Sequence, residues 1–177
     1  MPVGSSIIIA NRWQSYIEDF KKRPDSIINV EANYQNDVFG GILADIEQLI
    51  SDHPKYKFYI ISQSVYPSYN VQAWIKDMYN LELSSNYIKK LRHLIGCKNI
   101  ATFIPTNISS VESINSRIKT FADEHENVYF IDRNIPLCKR KNECLIMYKD
   151  KPLFSDVGHL SVYGGEIVGK FILQNLR

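Results

Sequence analysis

The chain has little of what marks several large protein classes. No long hydrophobic run is present: Ile7-Ile8-Ile9-Ala10 is four residues, far short of the roughly 20 that a helical membrane span needs. The same run has neither a charged leader nor a small-residue cleavage site, so it does not read as a secretory signal. The chain is therefore expected to stay where it is made or to be a piece of something longer. Charge of one sign is also missing, with a net of +2 and a pI near 8.3. Basic residues cluster at Lys21-Lys22-Arg23 and Lys139-Arg140-Lys141. Short runs of that kind are usually solvated faces, so no nucleic-acid partner is expected. Cysteine is scarce, and the three present allow at most one intramolecular bridge. Cys138 and Cys144 enclose five basic and polar residues, a spacing that fits a disulfide-closed loop better than the C-x-x-C pairs of zinc sites. Cys97 reads as a buried spectator. Repeats, low-complexity tracts and linkers are absent, and no cofactor or metal is expected.

What remains describes one soluble globular domain spanning 1–177, since 177 residues at 45% hydrophobic and 23% charged suffice to bury a core. Ile7 to Ala10, Phe58 to Ile61, Ile100 to Ile104 and Val128 to Ile131 read as short buried strands. Helices lie between them. Val38, Phe39, Ile42, Leu43, Ile46, Leu49 and Ile50 share one helical face after an Asn36 or Asp37 cap, and Ile88, Leu91, Leu94 and Ile95 mark another helix before Gly96. Ser109 with Glu112 has capping-box spacing and predicts a third helix burying Val111, Ile114, Ile118 and Phe121. Tyr163 to Leu176 carries Ile167, Val168, Phe171, Ile172 and Leu176 at helical spacing. The alternation predicts a mostly parallel sheet covered on both faces, with Ile7–Ala10, Phe58–Ile61 and Val128–Ile131 as parallel neighbours.

In such folds ligands sit at the carboxyl ends of the strands, so the residues after each apolar run are candidates for a site. Asn11-Arg12-Trp13 follow the first, Gln63-Ser64 to Pro67 the second, and Asp132-Arg133 the fourth. Asn11 and Arg12 are suited to donate hydrogen bonds to a developing oxyanion. Trp13 fits either an apolar or sugar-stacking wall or plain core filling. Arg12, directly after four apolar residues, must find solvent or an anionic partner.

The most informative stretch is Ser155-Asp156-Val157-Gly158-His159-Leu160-Ser161, just before the last helix. An Asp three residues before a His can accept a hydrogen bond from one ring nitrogen. That fixes the tautomer and leaves the other nitrogen free to take a proton from a hydroxyl nucleophile. The plainer reading is a surface Asp and a helix-capping His in an ordinary loop. A metal site at Asp156 and His159 would need further ligands, and no ligand cluster accompanies them.

Taken in order, Ile7-Ile8-Ile9-Ala10-Asn11-Arg12-Trp13-Gln14-Ser15-Tyr16, Tyr59-Ile60-Ile61 with Val65-Tyr66-Pro67, Leu137-Cys138 with Cys144, and Pro152-Leu153-Phe154-Ser155-Asp156 with His159-Leu160-Ser161-Tyr163-Gly164 resemble the SGNH domain attached to O-acetylating membrane acyltransferases of the O-antigen acetylase type. The resemblance implies a three-layer α/β/α, flavodoxin-like sandwich. It also implies transfer or hydrolysis of acyl esters, usually acetyl groups on cell-surface sugars. Asp156 would be the orienting carboxylate, His159 the general base, and Cys138 and Cys144 the paired cysteines of an extracytoplasmic domain. The implied partners are an acylated carbohydrate or acyl donor and an upstream membrane acyltransferase domain.

The departures matter equally. Members of that family carry the nucleophilic serine in a Gly-Asp-Ser motif after the first strand, and no Gly-Asp-Ser occurs in this sequence. Gly4-Ser5-Ser6 precedes a strand instead of following one, which argues against Ser5 or Ser6 as the nucleophile. The family's Gly-x-Asn-Asp is replaced by Ala10-Asn11-Arg12-Trp13. The expectation is a chain that begins at the family's third strand, with the nucleophile upstream. Two functions stay open: an acyl-ester enzyme to which this chain contributes the Asp-His pair, or a noncatalytic glycan-binding or scaffolding remnant on the same fold.

Overall fold

Branched and aromatic side chains crowd a helix but pack well on a pleated surface, and the short apolar runs rich in them become strands. In a computed structural model, residues 5–21, 37–67, 71, 73, 102–103, 105, 107–140, 143–149 and 151–176 are described. The helix expected over 88–95, Gly96, Cys97, Asn36, Gly4, and the strand ends Ile100 and Ile104 lie outside those residues. The rest divides into two compact units, Met1–Ser64 with Ser109–Arg133, and Val65–Ile108 with Asn134–Asn175.

The first unit is a parallel sheet of three strands in the order β1 (Ser6–Ile9), β2 (Lys57–Ile61) and β4 (Val128–Ile131). Ile7 pairs in register with Phe58, and Phe58 with Val128. Alternation along each strand sends Phe58, Ile60 and Val128 into a core with Trp13, Phe39, Ile46, Ile50, Ile114, Ile118 and Phe121. Those partners come from α1 (Trp13–Lys21), α2 (Val38–Asp52) and α3 (Ile108–Asp123). On the other face, Tyr59 and Tyr129 stack at 5.2 Å.

Asp37 caps α2, its carboxylate accepting from the Gly40 amide at 3.0 Å and from Arg117 Nη1 at 3.1 Å, and Arg117 also lies 4.9 Å over the Phe39 ring. Ser109 does not cap α3. The helix already includes Ile108, which places Ser109 inside its first turn.

The second unit holds two small antiparallel sheets that periodicity did not reveal. One has the order β3 (Thr102–Phe103), β6 (Glu143–Leu145), β5 (Cys138–Arg140), and the other pairs β7 (Met147–Tyr148) with β8 (Lys151–Pro152). The run expected at 100–104 therefore pairs antiparallel, Phe103 opposite Cys144, and not with the parallel strands. Cys138 and Cys144 face each other across β5 and β6 and form a disulfide, with Cα atoms 3.9 Å apart. The last helix, α4 (Val162–Gln174), is capped by Ser161. A Cβ at Gly164 would sit 2.0 Å from the Leu153 carbonyl oxygen, so only glycine lets α4 approach this closely. Among the described residues no helix is long and apolar enough to cross a membrane.

Candidate active site

The segment between β8 and α4 is built by its own backbone. The Ser155 amide donates to the His159 carbonyl at 2.9 Å, Phe154 and Leu160 form an antiparallel bridge, and the Ser161 amide donates to Leu153 at 3.0 Å. Leu153 and Phe154 anchor the stem in the core, and Phe154 packs edge-on against Phe103. The loop is thereby forced to double back. Asp156 stabilises the turn, Oδ1 accepting the amides of Gly158 at 2.7 Å and His159 at 2.9 Å.

The same carboxylate meets the imidazole. His159 Nδ1 lies 2.9 Å from both Oδ1 and Oδ2 of Asp156. The His159 side chain is 65% exposed and that of Asp156 46%. Among the described residues nothing bonds to His159 Nε2. A ring held through Nδ1 by a carboxylate presents Nε2 as a proton acceptor, the arrangement a general base requires. The Asp156 carboxyl is held below its ordinary value, first by the Gly158 amide and then by the His159 side chain, so it stays an anion able to stabilise an imidazolium.

The loop's own serines are committed. Ser161 Oγ donates to the Pro152 carbonyl at 2.6 Å and accepts the Gly164 amide at 3.0 Å, while Ser155 Oγ donates to the His159 carbonyl at 3.3 Å. Ser6 opens β1 at its amino end, opposite the end where Asn11 and Arg12 lie. Among the described residues no group of three His, Cys, Asp or Glu could hold a metal ion.

In the first unit, the carboxyl ends of the parallel strands bear a polar layer. Fully buried Ser62 donates from Oγ to Asp132 Oδ1 at 2.9 Å and accepts the Arg133 amide at 2.9 Å. The Gln63 amide donates to Asn115 Oδ1 at 2.7 Å, Asn115 Nδ2 returns a bond to the Gln63 carbonyl, and Gln63 Oε1 accepts the Gln14 amide. Ser62 and Asn115 were not singled out from the sequence. The available signal was their polarity, directly after an apolar strand in one case and within an amphipathic helix in the other.

The predicted site residues of this unit separate into two kinds. Arg12 is exposed, and Asn11 uses its carbonyl oxygen to accept the Arg12 amide at 2.9 Å, which leaves its side-chain NH2 without a partner among the described residues. Trp13 is corrected. It is 1% exposed, donates Nε1–H to the Ile61 carbonyl at 2.9 Å and packs edge-on against Phe39, so it fills the core and offers no wall to a sugar.

A family model described as "SGNH domain (fused to AT3 domains)" matches residues 2–174. A solved structure from Streptococcus pneumonia, described as that of a candidate platelet activating factor, is similar in fold at 13% identity and a TM-score of 0.55. That likeness covers 98% of this chain and 60% of the other, so the chain spans about three fifths of the length of the solved protein. No curated protein matches the chain. The mixed α/β fold with its parallel sheet accords with the flavodoxin-like SGNH fold.

Proposed function

Because the chain belongs to the family of SGNH domains fused to AT3 domains, a family of hydrolases and acyl-transfer proteins, we propose that it contributes the Asp-His pair to acyl-ester transfer or hydrolysis, acting on O-acetyl groups of cell-surface glycans. The observation that carries the reading is the His159 ring, held through Nδ1 by Asp156 with Nε2 uncommitted. A serine hydroxyl attacks the acyl carbonyl carbon and its proton passes to Nε2 of His159. The tetrahedral oxyanion calls for hydrogen-bond donors, and in the first unit Arg12 and the Asn11 amide group are donors of that kind. As the intermediate collapses, the C–O bond to the leaving sugar breaks and the sugar oxygen takes the proton from His159. The acyl-serine is then discharged to water or to an acceptor hydroxyl. The serine comes from a Gly-Asp-Ser segment upstream, alongside a membrane acyltransferase domain, and the site works on the extracytoplasmic side.

The second reading is a noncatalytic glycan-binding or scaffolding domain, favoured by the lack of Gly-Asp-Ser in the sequence. One experiment separates the two. The 177-residue chain is expected to hydrolyse a generic acetyl ester barely above background. The same chain joined in cis to an upstream Gly-Asp-Ser strand segment should hydrolyse it readily, and His159→Ala should abolish that activity. Vigorous turnover by the chain alone points to an internal serine such as Ser5 or Ser6, and a completed protein without turnover favours glycan binding.

A further inference from the structure

The loop that carries Asp156 and His159 grows out of a region made of two- and three-residue strands, β3, β5, β6, β7 and β8. Strands that short hold one another weakly, since even a longer isolated hairpin is marginal in water. A covalent bond crosses them. The disulfide of Cys138 and Cys144 ties β5 to β6, and Cys144 is fully buried.

From β6 the chain grips the stem of the loop in two ways. Phe103, opposite Cys144 in the β3 and β6 register, packs edge-on against Phe154 at 5.4 Å. Ile146, fully buried and next after β6, accepts the Leu153 amide at 2.8 Å, and the Leu153 carbonyl accepts the Ser161 amide at 3.0 Å. Leu153 and Phe154 lead directly into Ser155 and Asp156, while Ser161 closes the loop after His159 and Leu160. Bridge, stem and loop all belong to the second unit. The bonds from Asp156 to the Gly158 and His159 amides shape the turn itself. They do not fix its attachment.

We propose that Cys138 and Cys144 are positioning residues for the Asp156 and His159 pair, the closed bridge holding β6 in the place from which Ile146 and Phe103 fix the stem of the loop. A disulfide removes alternative arrangements that the open chain would sample. Once the bridge is opened, β6 is free to fray from β5, both grips on the stem loosen together, and the exposed carboxylate and imidazole meet water in place of each other. Catalytic geometry is sensitive to displacements of that size. As a statement about the loop the proposal stands on these contacts, and as a statement about rate it rests on the acyl-ester reading above.

The test compares the 177-residue chain with its Cys138→Ser/Cys144→Ser variant by NMR. In the variant the amides of Leu153, Ser155 and Ser161 are expected to exchange with solvent at least about ten-fold faster, and the Asp156 carboxyl midpoint to rise to its ordinary 3.8. The amides of Phe58 and Ser62, bonded to Asn127 and Ile131 in the first unit, should keep their rates. If the serine variant does not fold, the unsubstituted chain with its bridge reduced by a dithiol decides the matter. In the protein completed with a Gly-Asp-Ser segment, opening the bridge should lower kcat by about ten-fold or more and leave KM within about two-fold. Stem exchange and an Asp156 midpoint that ignore the bridge would overturn the proposal, and so would a loss of protection at Phe58 and Ser62 equal to that of the stem, which would make the bridge a brace of the whole chain. Neither NMR readout involves ester turnover. A completed protein without turnover whose stem loosens as expected sinks the acyl-ester reading alone, and an active one whose kcat ignores the bridge sinks the positioning role alone.

Discussion

At the carboxyl end of β2, Ser62 is fully buried, and its hydroxyl both donates to Asp132 and accepts the Arg133 amide. In the loop before α4, Asp156 also binds backbone amides and one side chain, but that side chain is an exposed imidazole with a nitrogen to spare. Both clusters join a carboxylate to a hydroxyl or ring nitrogen near 2.9 Å. They differ in what is left over. A buried polar group must find its partner within the protein, because an unmet donor or acceptor costs about 1–3 kcal/mol, so the Ser62 layer spends its hydrogen bonds inside the protein and stabilises the sheet end. An exposed group has water as an alternative partner and can keep one valence for chemistry. Spent hydrogen bonds mark architecture here, and unspent ones at His159, Asn11 and Arg12 mark candidate function.

The largest expected effect sharpens that division. In the protein completed with a Gly-Asp-Ser segment, Asp156→Asn should lower kcat for acetyl-ester hydrolysis by about 10³–10⁴-fold, because an amide cannot stabilise the imidazolium or enforce the tautomer. The same variant should change unfolding free energy by no more than about 0.5 kcal/mol, as the site is exposed. Chemical denaturation and ester kinetics on one preparation check both halves. A loss of stability as severe as the loss of rate would break the comparison by making Asp156 architectural.

The converse is expected of Ser62→Ala, which leaves the Arg133 amide without its acceptor and removes the hydroxyl bound to Asp132. Stability should fall by about 2 kcal/mol, measured by urea denaturation. An unchanged midpoint would show that the Ser62 layer is not what holds the strand ends.

The smallest effect is a titration. The Asp156 carboxyl is depressed below its ordinary 3.8, chiefly by the Gly158 amide. A depressed carboxylate contributes to order above its unfolded pKa, and the contribution is lost as pH falls through the lower folded value. The turn is therefore expected to be intact above about pH 4 and to loosen only at more acid pH. The carboxyl carbon resonance of Asp156, followed by NMR, should show a midpoint below 3.8, and a midpoint at or above it would remove the amide and imidazole bonds from the account.

Much of the fold was legible in the residues. The runs at Ile7, Phe58 and Val128 became parallel neighbours, and Asp37 became the cap of α2. Strand pairing followed because apolar alternation and the crossover rule leave few arrangements. The Asp156 and His159 bond was legible for a different reason: a three-residue separation within a turn needs no distant element to bring the groups together. Trp13 was ambiguous because an aromatic after a strand suits a wall or a core equally, and only the position of Phe39 and the Ile61 carbonyl decides. The pairing of Phe103 with Cys144 was hidden because a two-residue strand carries too little pattern to name its partner.

By itself, then, the sequence determined the local matters: where apolar runs become strands, which residue caps α2, and which carboxylate orients His159. Periodicity and short offsets act within a few residues, and the energies behind them are local. The tertiary structure alone decided which polar groups were consumed. Ser62 meets Asp132 across a separation of 70 residues, Gln63 meets Asn115 across 52, and the Arg133 guanidinium, between such pairs, meets nothing among the described residues. Whether a buried charge is satisfied depends on every chain segment that reaches it, a property of the folded surroundings that no stretch of sequence contains.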